Sequence, residues 1–125
     1  MTIQAAIDMI NGLKPNMFPP DQKIAWLNDI DGLVWREIFL THEGVEAGRE
    51  FLGYNQDSDQ GTALLVPEPY TDIYKHYLAL QMDIANRETG EYAKDQVLFN
   101  NAWQTLCDYW NRKYRPLSPV RELRF

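Results

Sequence analysis

Tyr70-Thr71-Asp72-Ile73-Tyr74-Lys75-His76-Tyr77-Leu78-Ala79-Leu80 opens a 45-residue stretch that closes with Trp103-Gln104-Thr105-Leu106-Cys107-Asp108-Tyr109-Trp110-Asn111-Arg112-Lys113-Tyr114. Nine of the chain's 16 aromatic residues fall within it, at Tyr70, Tyr74, Tyr77, Tyr92, Phe99, Trp103, Tyr109, Trp110 and Tyr114. They recur at spacings of three and four, which line the face of a helix rather than alternate across a strand. Tyr70, Ile73, Tyr77, Leu80 and Ile84 form one stripe, with Tyr74, Leu78 and Ala85 beside it. Tyr92, Phe99, Trp103, Leu106 and Trp110 form a second. Pro69 suits a first helical turn. Arg87-Glu88-Thr89-Gly90 supplies a turn, with Gly90 expected in the left-handed conformation common just after a helix. Two such helices joined by so short a turn lie antiparallel and in contact.

Outward from the hairpin, Ile3, Ile7, Ile10 and Leu13 predict a short amphipathic helix over residues 2–13, with Thr2 able to cap it. Pro15, Pro19 and Pro20 favour an extended linker. A second helix is expected from residue 20 or 21 to about 41. Ile24, Leu27, Val34 and Ile38 lie on one face of it, with Trp26, Ile30, Leu33 and Trp35 beside them. Asp31-Gly32 interrupts its middle, where an interior glycine costs about 1 kcal/mol against alanine, and reads as a bend or a close contact with another helix. Periodicity fades over residues 42–66. There, residues 50–54 and 62–66 are able to pair as a small β-ribbon around the polar run Asn55-Gln56-Asp57-Ser58-Asp59-Gln60. A loop of this length is often a functional projection. The fold class is all-α, a bundle of about four helices with a long C-terminal hairpin. Residues 1–116 form one domain, and 117–125 a basic extended arm.

Composition narrows the functional classes. At 125 residues the chain suits one core. No apolar run approaches the ~20 residues of a membrane span, and no signal peptide is evident, so an intracellular product is expected. The net charge of −6 is unevenly placed. Residues 1–110 hold 7 basic and 17 acidic side chains, while residues 111–125 hold Arg112, Lys113, Arg115, Arg121 and Arg124 against Glu122 alone. Cations in a last helical turn complement the macrodipole, which accounts for Arg112, Lys113 and Arg115 but not for Arg121 and Arg124 beyond Pro116. An acidic body disfavours broad nucleic-acid binding. Aromatics at helical spacing read as core rather than as a base-stacking platform.

The search for chemistry is largely negative. The single cysteine, Cys107, reads as a packing thiol. His76 reads as a solvated surface residue. His42 with Glu43 and Glu46 lacks the further ligand and enclosed shell a metal site requires. Asp57, Asp59 and Glu68 mimic the carboxylate spacing of a calcium loop, but Thr62 stands where such a loop needs glycine. Asp29 and Asp31, two apart, point to different helical faces. No catalytic residue, cofactor or metal is predicted, and the chain is not expected to be an enzyme. The candidate interaction residues are Glu50, Tyr54, Asp57 and Asp59 in the loop, with Arg115, Arg121, Arg124 and Phe125 in and before the arm.

Pro67-Glu68-Pro69-Tyr70-Thr71-Asp72-Ile73-Tyr74, Tyr77-Leu78, Gln81-Met82-Asp83-Ile84, Gly90-Glu91-Tyr92, Phe99-Asn100-Asn101-Ala102 and Tyr109-Trp110-Asn111-Arg112 resemble a family of small phage proteins. Those proteins are encoded in the structural gene clusters of tailed bacteriophages and prophages of Gram-positive bacteria. Ala6-Ile7, Leu13-Lys14-Pro15-Asn16, Lys23, Trp26-Leu27 and Leu33-Val34-Trp35-Arg36-Glu37 are similar too. The resemblance implies a virion structural protein, a head-tail connector or adaptor subunit assembling as a ring below the portal. Its partners would be further copies of itself, the portal and other head-tail junction proteins. DNA would pass through the ring without sequence-specific binding, and no membrane would be involved. It would reside in the host cytoplasm during assembly and then in the virion. The alternative is a soluble helical interaction or regulatory module that binds an acidic partner or nucleic acid through its basic arm.

Overall fold

The computed structural model describes residues 1–45 and 48–117. Four α-helices follow in order: α1 (Ile3–Leu13), α2 (Pro20–Val34), α3 (Asp72–Asn86) and α4 (Thr89–Lys113), with a π-helical turn, Trp35–Phe39, continuing α2. The architecture is all-α, and α3 packs against each of the other three helices, most extensively against α4. Among the described residues no helix is long and apolar enough to cross a membrane.

Each helix begins where local chemistry allows it. Thr2 caps α1, its Oγ1 accepting from the Ala5 amide at 3.1 Å, which satisfies one of the orphan donors of the first turn. Ile3, Ala6, Ile7 and Ile10 then bury one face. Pro20 occupies the first turn of α2, where its missing amide hydrogen costs nothing. The linker before it is held by Lys23, a buried lysine whose Nζ donates to Asn11 Oδ1 at 2.7 Å and to the Phe18 carbonyl at 2.9 Å. Burial lowers the pKa of that ammonium.

Gly32 does not break α2. A side-chain carbon there would stand 3.4 Å from the Arg36 guanidinium and 3.9 Å from the Phe51 ring, so the residue lies beneath two neighbours inside a continuous helix. The departure from α geometry comes three residues later, where the Leu40 amide donates to the Trp35 carbonyl at 2.9 Å. Such widened turns re-aim the side chains around them. Here Trp35, Ile38 and Phe39 are all buried, and Phe39 stacks on Trp110 of α4 with ring centroids 4.5 Å apart.

The hairpin is antiparallel as expected, with Tyr70 meeting Tyr109 and Tyr77 meeting Phe99 at centroid separations of 4.5 and 5.5 Å. Several details differ from the sequence reading. Pro69 lies in a turn ahead of α3, closed by the Tyr70 amide on the Pro67 carbonyl. The left-handed residue after α3 is Arg87, at φ 58°, while Gly90 is already helical in α4. The ends of both expected stripes lie outside the core, since Ile84 is 51% and Tyr92 38% exposed. The buried band of α3 is instead Ile73, Tyr74, Leu78, Ala79, Leu80 and Met82, shifted toward the side where α1 and α2 pack.

No β-ribbon forms between residues 50–54 and 62–66. The second segment pairs with the N-terminus instead. The Leu64 amide donates to the Met1 carbonyl and the Ile3 amide to the Thr62 carbonyl, with Thr2 and Ala63 opposed. A free edge at the start of α1 thus took the backbone groups that the ribbon would have used.

Truncation of Leu27, which has no exposed surface, to alanine should lower unfolding free energy by roughly 2–5 kcal/mol in urea denaturation. Val97→Ala, at a position 57% exposed, should stay within about 0.5 kcal/mol of the parent.

Candidate interaction site

The central loop is organised by one buried acid. Asp31 occupies the apolar face of α2 between Leu27 and Val34 and has no exposed surface. Three donors converge on its carboxylate: the Tyr74 hydroxyl of α3 at 2.6 Å, the Tyr54 hydroxyl at 2.5 Å and the Leu65 amide at 3.0 Å. Tyr74 Oη in turn accepts from the Val66 amide at 2.8 Å. Burial drives the Asp31 pKa upward, while the two phenols and the amide pull it back by favouring the ionised form. Both phenols are pushed well above the ordinary tyrosine range, first by burial and then by the adjacent Asp31 charge.

These bonds press the loop onto the helices at both of its ends. Tyr54 is further fixed by its amide, which donates to Asn28 Oδ1 at 2.8 Å. That approach requires glycine at 53, where φ is +84° and a side-chain carbon would stand 2.6 Å from Asn28 Oδ1. Between these anchors the tip folds on itself. The Asp57 amide donates to Asn55 Oδ1, the Asn55 amide to Ser58 Oγ, and the Gly61 amide to Asp59 Oδ1. Such side-chain turns give a polar loop a defined shape without a core of its own.

A solvent-open groove of about 340 Å³ results, and it unites three of the four loop candidates, Glu50, Tyr54 and Asp59. Asp57 stands exposed at the tip outside it. Trp35 and Phe51 supply the groove's aromatic wall, and Leu52 projects beside them at 88% exposure. The Arg49 guanidinium lies 5.5 Å from the Trp35 ring centroid and 5.9 Å from that of Phe39, a cation-π arrangement. Two carboxylates against one arginine leave the groove acidic.

Of the remaining candidates, Arg115 lies among the described residues. Arg115 is exposed, and its carbonyl accepts from the Glu43 amide at 2.8 Å while the Leu117 amide donates to the Thr41 carbonyl at 2.8 Å. His42 and Pro116 stand opposed between them. The base of the arm is therefore sewn to residues 41–43, with Leu117 still tied to the helical body. Arg121, Arg124 and Phe125 lie outside the described residues, as does Glu46. His42 is a buried linker, with Nδ1 2.7 Å from the Ile38 carbonyl and Nε2 2.6 Å from Asn111 Oδ1. His76 is half-buried rather than fully solvated, and burial, with Lys75 adding to it, lowers its pKa. Burial raises the pKa of the half-buried Cys107 thiol, and the Asp108 charge adds to the effect, away from the thiolate that a nucleophile requires.

Asp31 and Arg49 were not singled out as site residues from the sequence. A signal existed for the first, because an acid in register with Leu27 and Val34 on an apolar helix face must find donors. None existed for the second. No family model matches the chain, and no curated protein or solved structure does so either.

Tyr74→Phe removes a donor from Asp31 and leaves the Val66 amide without its acceptor, so a loss of about 2–4 kcal/mol is expected in urea denaturation. The phenols also set an alkaline limit. Their folded pKa values lie above the unfolded value of 10.0. The protonated phenols thus contribute stability that is complete below about pH 10 and lost as pH rises further. Absorbance titration should show Tyr54 and Tyr74 ionising only as the protein unfolds.

Proposed function

We propose that this protein is a virion structural subunit, a head-tail connector or adaptor that assembles as a ring below the portal, with a structural rather than a catalytic role. One observation carries the reading. An acidic, aromatic-walled groove and a basic arm that carries an aromatic residue occur on the same chain. The groove offers Glu50 and Asp59 beside Trp35, Phe51 and Tyr54, and the arm brings Arg121, Arg124 and Phe125. Groove and arm are different segments of the chain, so a contact between them across copies would be heterologous and would close into a ring when the rotation per subunit permits. Arginine and aromatic side chains are the residue types enriched at interface hot spots.

The resemblance of the hairpin and N-terminal motifs to phage connector proteins supplies the biological setting. Assembly would take place in the host cytoplasm, and the ring would enter the virion, contacting the portal on one side and tail components on the other. The net negative charge of the helical body suits a channel past which DNA slides without being held.

Native mass spectrometry and negative-stain microscopy of the full chain should show closed oligomers, and antibody labelling should place the protein at the neck of purified particles. Glu50→Lys should reduce assembly at least tenfold while leaving the thermal midpoint within about 2 °C. A chain that stays monomeric at all concentrations and is absent from particles would refute the connector role. DNA binding with a steep salt slope, lost on deleting residues 117–125, would point to the regulatory alternative.

A further inference from the structure

The start of α4 is held in an unusual way. From Thr89 through Leu98 the only buried residue is Asp95, and Glu88 provides no side-chain cap. Gly90, a poor helix former, sits in the first turn. Asp95 is thus the one fully covered side chain of these ten helical residues. Asp95 faces a second acid, Asp83 of α3, which has no exposed surface. Lys14, at the C-terminal cap of α1, donates to Asp83 Oδ1 and lies 3.8 Å from Asp95 Oδ2. The other oxygen of Asp83, Oδ2, is buried with no hydrogen-bond donor in contact.

Two adjacent carboxylates with one ammonium form an unbalanced set. The orphaned oxygen states what is missing, since a buried acceptor of this kind requires a donor. Lys14 is already committed to Oδ1. A protonated Asp95 is the group placed to supply the missing O–H.

We propose that the tip of the α3–α4 hairpin is a proton-operated latch, in which a proton on the Asp95 carboxyl, donated to Asp83 Oδ2, docks the first turns of α4 while Lys14 clamps the pair from α1. The remaining charges bear on it from each side. Glu88 in the turn acts on Lys14. From α4, Lys94 acts on Asp95 while itself bonded to Glu91 at 2.7 Å. Lys75 and His76 of α3 stand on the rim of a solvent-open cavity of about 360 Å³ that Lys14 and Asp95 also line, which gives protons a route to the pair.

The electrostatics follow the geometry. Burial raises the Asp95 pKa to about 6, reinforced by the hydrogen bond and charge of Asp83 and opposed by Lys14 and Lys94. For Lys14, burial works against the ammonium, but the bond to Asp83 and the charges of Asp83, Asp95 and Glu88 raise its pKa on balance, so the clamp remains charged. With its docked pKa above the free value of 3.8, Asp95 stabilises the closed latch fully below about pH 4. That stabilisation is lost as pH rises through about 6. A separation of about two units corresponds to roughly a hundredfold change in the docking equilibrium. The device is independent of the connector reading and belongs to the isolated subunit.

Hydrogen–deuterium exchange of residues 89–98, corrected for intrinsic base catalysis, tests the latch on the full chain, together with carbon-13 titration of the Asp95 carboxyl. Protection should fall by tenfold or more between pH 5 and 7.5, with a midpoint near 6, while the core amides of α3 stay unchanged. In Asp95→Asn the amide donates permanently to Asp83 Oδ2, so protection should stay high and flat with pH. In Lys14→Met the Asp95 midpoint should move upward, a shift that a purely structural role for Lys14 would not produce. An Asp95 carboxyl titrating near 4 in the parent chain would overturn the proposal, as would pH-independent protection of the parent or an unchanged pH profile in Asp95→Asn; the carboxyl titration of the parent decides the matter even if the variants do not fold.

Discussion

The Asp31 carboxylate is out of contact with water, and a charge in that position is tolerated only when its lone pairs are filled by donors of good geometry. Two phenols and one amide meet that demand, and they come from α3 and from two separate parts of the loop. The second helix, the third helix and residues 54–66 are therefore held in one register. None of them can shift without leaving a buried carboxylate short of a partner. The groove that unites Glu50, Tyr54 and Asp59 is a by-product of that register, because its walls are loop segments on either side of the Tyr54 anchor together with Trp35 of the π-helical turn.

A second consequence is the inequality of the two hairpin helices. Three helices surround α3, which buries Ile73, Tyr74, Leu78, Ala79, Leu80 and Met82 along its 15 residues, whereas α4 touches the body chiefly through α3 and buries Asp95, Leu106 and Trp110 along its 25 residues. Phe99, Trp103 and Tyr109 are half-covered and packed against the core. The C-terminal half of α4 is anchored by the Phe39–Trp110 stack. Its first ten residues, 89–98, bury one side chain, that of Asp95. Stability should be unevenly distributed along the helix, in the manner of local opening units.

Helix existence was legible because burial on one side imposes a period of 3.6 on any chain, and all four helices of this protein carry it. Two kinds of detail were not. Arg87 rather than Gly90 takes the left-handed position after α3, since the first turn of α4 absorbs the glycine. The segment 62–64 pairs with residues 1–3, which lie some sixty positions away and carry no local signal of the pairing. The loop acids were legible as candidates from composition alone. Their gathering into one groove was not, because it depends on Tyr54 reaching Asp31, a contact 23 positions distant.

Periodicity and charge balance along the chain dictate an all-α fold, an antiparallel hairpin closed by a short turn, an acidic body and a basic C-terminal segment. Those properties are local or additive, and they survive without knowledge of who packs against whom. Only the tertiary structure decided which acids are buried and which are solvated. Asp29 and Asp31 differ by two positions, yet one is exposed and the other is the hub. Asp95 belongs to an exposed helical segment and is nonetheless covered, because Lys14 and Asp83 approach it from two other elements. Desolvation depends on the whole neighbourhood in space, and a buried charge takes its properties from donors supplied by distant parts of the chain.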